Sequence, residues 1–96
     1  MLAATPNEPF LLFALAKEHE KTGDLEQAEQ FFLTLQQVDP QYTGLYYHLG
    51  KLYEKQQNIE AALNVYKRGI DICRTVGDRH AMSELQGALL NLEDPE

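Results

Sequence analysis

At 96 residues the chain has room for one modest hydrophobic core, and its 44% hydrophobic and 24% charged content is that of a soluble globular protein. A formal net charge of −7 argues against nucleic acid, whose phosphates are gripped by clustered Lys and Arg. The longest apolar run, Phe10–Ala16, falls well short of the roughly 20 residues that span a bilayer, which argues against a membrane segment.

The chain opens on Met1–Pro6, which has neither a basic region nor a sustained apolar segment, so no secretory signal is expected there. A first helix is predicted over about Glu8–Thr22. Asn7 is its N-cap, Pro9 sits in its first turn and Gly23 breaks its C-terminus. A second follows over about Leu25–Val38, capped by Asp24 with Gln27 three residues on, and Asp39-Pro40 stops it. The third is predicted over about Thr43–Gln57, with Gln57-Asn58 as the tight turn into a fourth over Ile59–Val76. Gly77 ends that helix, and Asp78 caps a fifth over about Arg79–Leu92, ahead of the acidic ending Glu93–Glu96. Nothing alternates like a strand, so the chain reads as all-α.

A shift of 34 residues superimposes the chain on itself. Leu12 falls on Tyr46, Leu15 on Leu49, Ala16 on Gly50, Ala28 on Ala62 and Phe32 on Tyr66. A fixed period of this length marks stacked helix–turn–helix units. The small residues Ala16, Gly50, Ala28 and Ala62 let helix backbones approach closely, while Leu12, Leu15, Phe32, Tyr46, Leu49, Tyr53 and Tyr66 fill the space one turn away. Gly69, costly inside a helix, marks where the fifth helix packs on the fourth. Met82, Leu85, Leu89 and Leu92, with Ala81 and Ala88, form a covering stripe on that fifth helix. No such cover precedes the first helix, so apolar surface near Phe10, Phe13 and Phe31 is expected to stay exposed. Residues 9–42 carry six acids and two bases, residues 43–76 three acids and five bases. That contrast reads first as attraction between neighbouring repeats and second as a basic binding patch.

These positions resemble the tetratricopeptide repeat family. The second repeat matches through Tyr46, Leu49-Gly50, Tyr53, Ala62 and Tyr66, and the first through Leu12, Leu15-Ala16, Ala28, Phe32 and Pro40. Departures are His19 for the usual aromatic, Leu35 and Gly69 for alanine, and Arg74 for proline. The resemblance implies an α-solenoid, a right-handed superhelix of two helix–turn–helix repeats (about 9–42 and 43–76) plus one capping helix (about 78–92). The whole chain, 1–96, is then a single domain. A non-catalytic scaffold or adaptor that binds another protein or peptide is also implied. Some family members clamp a chain-end carboxylate. The corresponding positions here are Phe13, Lys17, His48, Asp78 and Met82, of which only Lys17 suits the task and Asp78 opposes it.

Candidates for chemistry are few. His19, His48 and His80 lie about 30 residues apart on different helices, without the spacing of metal ligands. His19 and His80 read as half-buried ring fillers, and His48 as a possible polar contact for a partner. Cys73, the single cysteine, excludes an internal disulfide, fits a reducing, cytoplasmic setting, and reads as a buried inert thiol. Glu18, Glu20, Glu26 and Glu29 read as a solvated surface. No catalytic, cofactor-binding or metal site is expected, and no enzyme.

In a stack of this kind the first helix of each pair lines the concave face. Phe10, Phe13, Lys17 and Glu20 are the inward candidates on the first helix, and Gly44, Tyr47, His48, Lys51 and Glu54 on the third. Phe13 and Tyr47, Lys17 and Lys51, and Glu20 and Glu54 stand at equivalent offsets. One reading is a groove with an aromatic floor and a lysine row, suited to a peptide with apolar anchors and some acid. The other is an ordinary solvated ladder of charges, with the two rings packed on each other. A structural role, self-association into a homodimer or a larger assembly through the uncovered N-terminal helix, is the alternative.

Overall fold

The computed structural model describes residues 8–93. Among them the chain forms five α-helices and no strand: α1 (Pro9–Lys21), α2 (Leu25–Val38), α3 (Gly44–Lys55), α4 (Ile59–Val76) and α5 (Arg79–Glu93). They divide into two compact units, one ending at Tyr42 and the other beginning at Thr43.

In the first unit α1 packs along α2. Pro9 sets the start of α1, since its missing N–H is one that the first turn leaves unbonded anyway. The N-cap position belongs to Glu8, whose side chain makes no capping hydrogen bond. Asn7, the expected cap, lies outside the described residues. Gly23, at φ +89°, turns the chain in the left-handed region, and Asp24 then caps α2 by accepting from the Gln27 N–H at 3.2 Å. Leu12, Ala16, Ala28, Phe32 and Leu35 form the core of this unit, all fully buried. Each large side chain among them contributes about 1.5–3 kcal/mol.

In the second unit α4 packs on both α3 and α5. Its core is Leu45, Tyr46, Leu49 and Leu52 from α3, Ala62, Tyr66, Ile70 and Cys73 from α4, and Leu85 and Ala88 from α5. Two glycines permit this packing. A methyl added at Gly50 would lie 2.2 Å from the Tyr66 ring, and one at Gly69 only 2.5 Å from Tyr46 Cβ and 2.9 Å from Leu85 Cδ1. Gly69 therefore seats both α3 and the covering helix α5 against α4, rather than α5 alone.

The turn between α3 and α4 differs from its counterpart. Gln57 takes φ +61°, a left-handed conformation at a residue with a side chain, so α3 ends at Lys55 instead of continuing to Gln57. Asn58 caps α4 through the Ala61 N–H at 3.2 Å. Gly77 (φ +81°) closes α4, and Asp78 caps α5 by accepting from the Ala81 N–H at 3.0 Å. The other oxygen of Asp78 accepts from the Thr43 hydroxyl at 2.6 Å, which ties the start of α3 to the start of α5. Those two donors, Thr43 first, hold the Asp78 carboxyl below the usual carboxylate range. No described helix is long and apolar enough to cross a membrane.

Candidate partner-binding faces

On α1, Phe10 stands clear of the fold at 69% exposure. Phe13, three residues on, is half-buried: its ring meets Phe32 edge-on at 6.1 Å and Tyr42 at 5.3 Å. Phe31 is likewise half-buried, stacked on His19 at 5.4 Å. Of the three phenylalanines expected at an uncovered surface, only Phe10 is strongly exposed, because Phe32 and Tyr42 give Phe13 ring partners and His19 gives Phe31 one. Lys17 Nζ lies 3.9 Å from Glu20 Oε1. Glu20 is not the solvated acid that the sequence suggests, since its side chain is only 11% exposed.

On α3, Gly44, Tyr47, His48, Lys51 and Glu54 are all half-buried. The Tyr47 ring meets His48 edge-on at 5.5 Å, and Lys51 Nζ sits 5.6 Å from the centre of the same ring. Lys51 Nζ also lies 3.8 Å from Glu54 Oε2. That oxygen accepts a 2.5 Å hydrogen bond from the Tyr66 hydroxyl, which reaches it from α4. Burial foremost, and then the Glu54 carboxylate, push the Tyr66 hydroxyl far above the ordinary tyrosine range, so it stays a neutral donor. An ammonium over a ring, held by a carboxylate that a buried hydroxyl anchors, is a fixed polar arrangement rather than a loose surface pair.

Sequence reasoning placed Tyr66 among the packing residues and missed this bond. The signal was present in the 34-residue shift: Phe32 stands where the second unit has Tyr66, and only one of them carries a donor above a glutamate.

The remaining candidates fall elsewhere. His19 is a ring filler against Phe31, with Nδ1 3.8 Å from Asp24 Oδ2. His80, expected to be another, is instead 87% exposed on the outer side of α5, 3.4 Å from Glu84. The stripe of α5 turns Leu85 and Ala88 inward and leaves position 80 on the opposite side. Cys73 is buried, and burial first, with Asp78 second, raises its thiol. Among the described residues no group of His, Cys, Asp and Glu could hold a metal ion. An open, polar hollow at the start of α2, lined by Asp24, Glu26, Gln27, Glu29 and Gln30, contains none of the candidate residues.

Comparison with known proteins agrees with this architecture. Residues 11–42 and 43–75 each match the tetratricopeptide repeat. A TPR repeat-containing protein of Pseudomonas aeruginosa is 28% identical over 93 residues, covering 97% of this chain and 89% of its own length. The crystal structure of a tetratricopeptide repeat domain protein from Salinibacter ruber is 43% identical, with a TM-score of 0.86 over 93% of this chain and 99% of that one. A solution structure of a tetratricopeptide repeat domain protein from the same organism is 42% identical, with a TM-score of 0.89 over 96% of this chain and 93% of that one. Domains of this fold are in general protein–protein interaction modules. With two repeat matches across more than half its length, the chain belongs to the tetratricopeptide repeat family.

Proposed function

We propose that this chain is a non-catalytic interaction module that binds a segment of another protein through the first helices of its two repeats. The observation that carries this reading is a recurring trio. Phe13, Lys17 and Glu20 on α1 return as Tyr47, Lys51 and Glu54 on α3, with the lysine 3.9 Å from its glutamate in one and 3.8 Å in the other. Core packing does not require a lysine and a glutamate to recur beside an aromatic ring, whereas recognition of a peptide with apolar anchors and some acid uses all three. Phe10 on α1 and His48 on α3 belong to the same reading. A cytoplasmic place and the absence of nucleic-acid binding belong to the same reading, supported by the single buried Cys73 and the net charge of −7.

Two repeats offer a short surface, so a single peptide should bind at about the micromolar level. The test is selection of binding peptides from a random library, followed by affinity measurement on variants. Tyr47→Ala should weaken the selected peptides by more than about 1 kcal/mol. Lys17→Ala with Lys51→Ala should chiefly flatten the dependence on salt. Unchanged binding by both, with native circular dichroism, would move the site off these helices.

A second reading, self-association through α1, is favoured by the 69% exposure of Phe10 beside Leu11 at 38%. Sedimentation equilibrium across a hundredfold range of concentration separates the two: a constant monomer mass removes the second.

A further inference from the structure

The two units differ at the position of Tyr66. In the first unit the residue equivalent to Tyr66 is Phe32, which has no hydroxyl; in the second the Tyr66 hydroxyl donates to Glu54 Oε2 at 2.5 Å. We propose that Tyr66 is a positioning residue for the partner-binding face of α3: through Glu54 it fixes the Lys51 ammonium over Tyr47, so that the second repeat selects a side-chain carboxylate next to an apolar residue of the partner. This rests on the reading of that face as a peptide site.

Three observations support it. Tyr66 cannot move away, because it is fully buried and its ring lies directly on the backbone of Gly50, where a methyl would be 2.2 Å distant. The same Glu54 oxygen meets both the hydroxyl and the Lys51 ammonium, so anchoring the carboxylate orders the lysine. Finally, the cation is the more presented of the pair, at 37% side-chain exposure against 26% for Glu54. A free lysine loses several rotamers when it binds; one already laid over a ring and held at its tip has lost them beforehand. The hydroxyl also draws on the charge of Glu54, which leaves the ammonium less neutralised by its own partner and better able to attract a second carboxylate. The Tyr47 and His48 rings beside it supply the apolar contact.

The experiment titrates the full chain with three acetylated tetrapeptides, followed by NMR at Tyr47, Lys51, Glu54 and Tyr66. They are amidated Ala-Glu-Phe-Ala, amidated Ala-Gln-Phe-Ala, and Ala-Gln-Phe-Ala with a free C-terminal carboxylate. The glutamate peptide should bind about threefold more tightly than its neutral twin, the scale of a partly exposed charge pair. Its addition should shift the Glu54 and Tyr66 signals, which the neutral peptide leaves in place. Tyr66→Phe, the residue the first unit already uses, should erase the preference while leaving the affinity for the neutral peptide unchanged; a merely structural role would weaken both alike. Lys51→Met should erase the preference as well. Equal binding of the glutamate peptide and its neutral twin at Tyr47 would overturn the inference and leave the peptide-site reading standing. So would a preference that survives Tyr66→Phe, or tighter binding of the free-acid peptide than of the glutamate peptide. If no peptide moved Tyr47, both readings would fall. Should Tyr66→Phe fail to fold, the wild-type shifts decide alone: no movement of Glu54 and Tyr66 with the glutamate peptide rejects the proposal.

Discussion

The two units solve one packing problem with different volumes. At one pair of equivalent positions the first unit buries Leu12 and Leu35, and the second buries Tyr46 and Gly69. At another pair the first has Ala16 and Phe32, the second Gly50 and Tyr66. In each exchange the second unit takes the bulkier side chain on one helix and removes the side chain opposite it, where a methyl would run into Tyr66 or Tyr46. What the second unit gains is a hydroxyl that reaches Glu54 and a seat at Gly69 for Leu85 of α5. The 34-residue pattern thus tolerates an exchange of large for small at matched positions, and such an exchange can add a polar bond or a new neighbour.

The contrast can be broken most severely by removing α5. Truncation after Val76 uncovers the α4 surface on which Leu85 and Ala88 are buried. Each large side chain re-exposed costs about 1.5–3 kcal/mol, against a total stability of about 5–15 kcal/mol for a domain of this size. A large fall in denaturation midpoint is expected by circular dichroism. A truncated chain that melts within a few degrees of the full one would remove α5 from the core.

Smaller in scale, the glycines sort by what faces them. Gly69→Ala places a methyl 2.5 Å from Tyr46 Cβ, so α3 has to shift. The loss should be about 1–3 kcal/mol in urea unfolding, outweighing the better helix propensity of alanine. Gly87→Ala, which meets nothing within 4 Å, should instead gain about 0.5–1 kcal/mol. Losses of equal size at both would mean that Gly69 is not a close-contact site.

The turns sharpen the comparison further. Gln57 occupies the left-handed region where the first unit has Gly23. An L-residue there costs about 1–2 kcal/mol, part of which the greater unfolded-state freedom of glycine offsets, so Gln57→Gly should stabilise by about 0.5–1 kcal/mol. The smallest effect concerns acid. The folded-state pKa of Asp78 is depressed, so its contribution is complete above the ordinary aspartate value of about 3.9 and is lost as pH falls through the folded value. The acid-unfolding curve of Thr43→Val should therefore converge on that of the parent below this range. Curves that stay equally far apart at every pH would show that the Thr43–Asp78 bond contributes nothing titratable.

Much of this was legible in the residues alone. The period of 34 and the Gly and Pro punctuation located all five helices, with α2 and α4 placed to the residue, because apolar spacing and caps are local signals. The end of α3 was misplaced because a glutamine in the left-handed region leaves no compositional mark. His80 was assigned to packing by repeat offset, yet α5 does not continue the register of the repeats, and the ring points away from the core. The aromatic, lysine and glutamate trio could be read from spacing. Its anchoring by Tyr66 could not, since a buried ring looks the same in sequence whether or not its hydroxyl finds an acceptor.

The claim that these first-helix faces take a partner is tested most directly by mapping amide and side-chain NMR shifts on the full chain as a library-selected peptide is added. The expected perturbations centre on Phe13 and Lys17 in α1 and on Tyr47, His48 and Lys51 in α3, with the outer residues Glu26 and Gln30 of α2 and Asn64 and Arg68 of α4 unmoved. Perturbations centred on those α2 and α4 residues, with the α1 and α3 signals still, would contradict it.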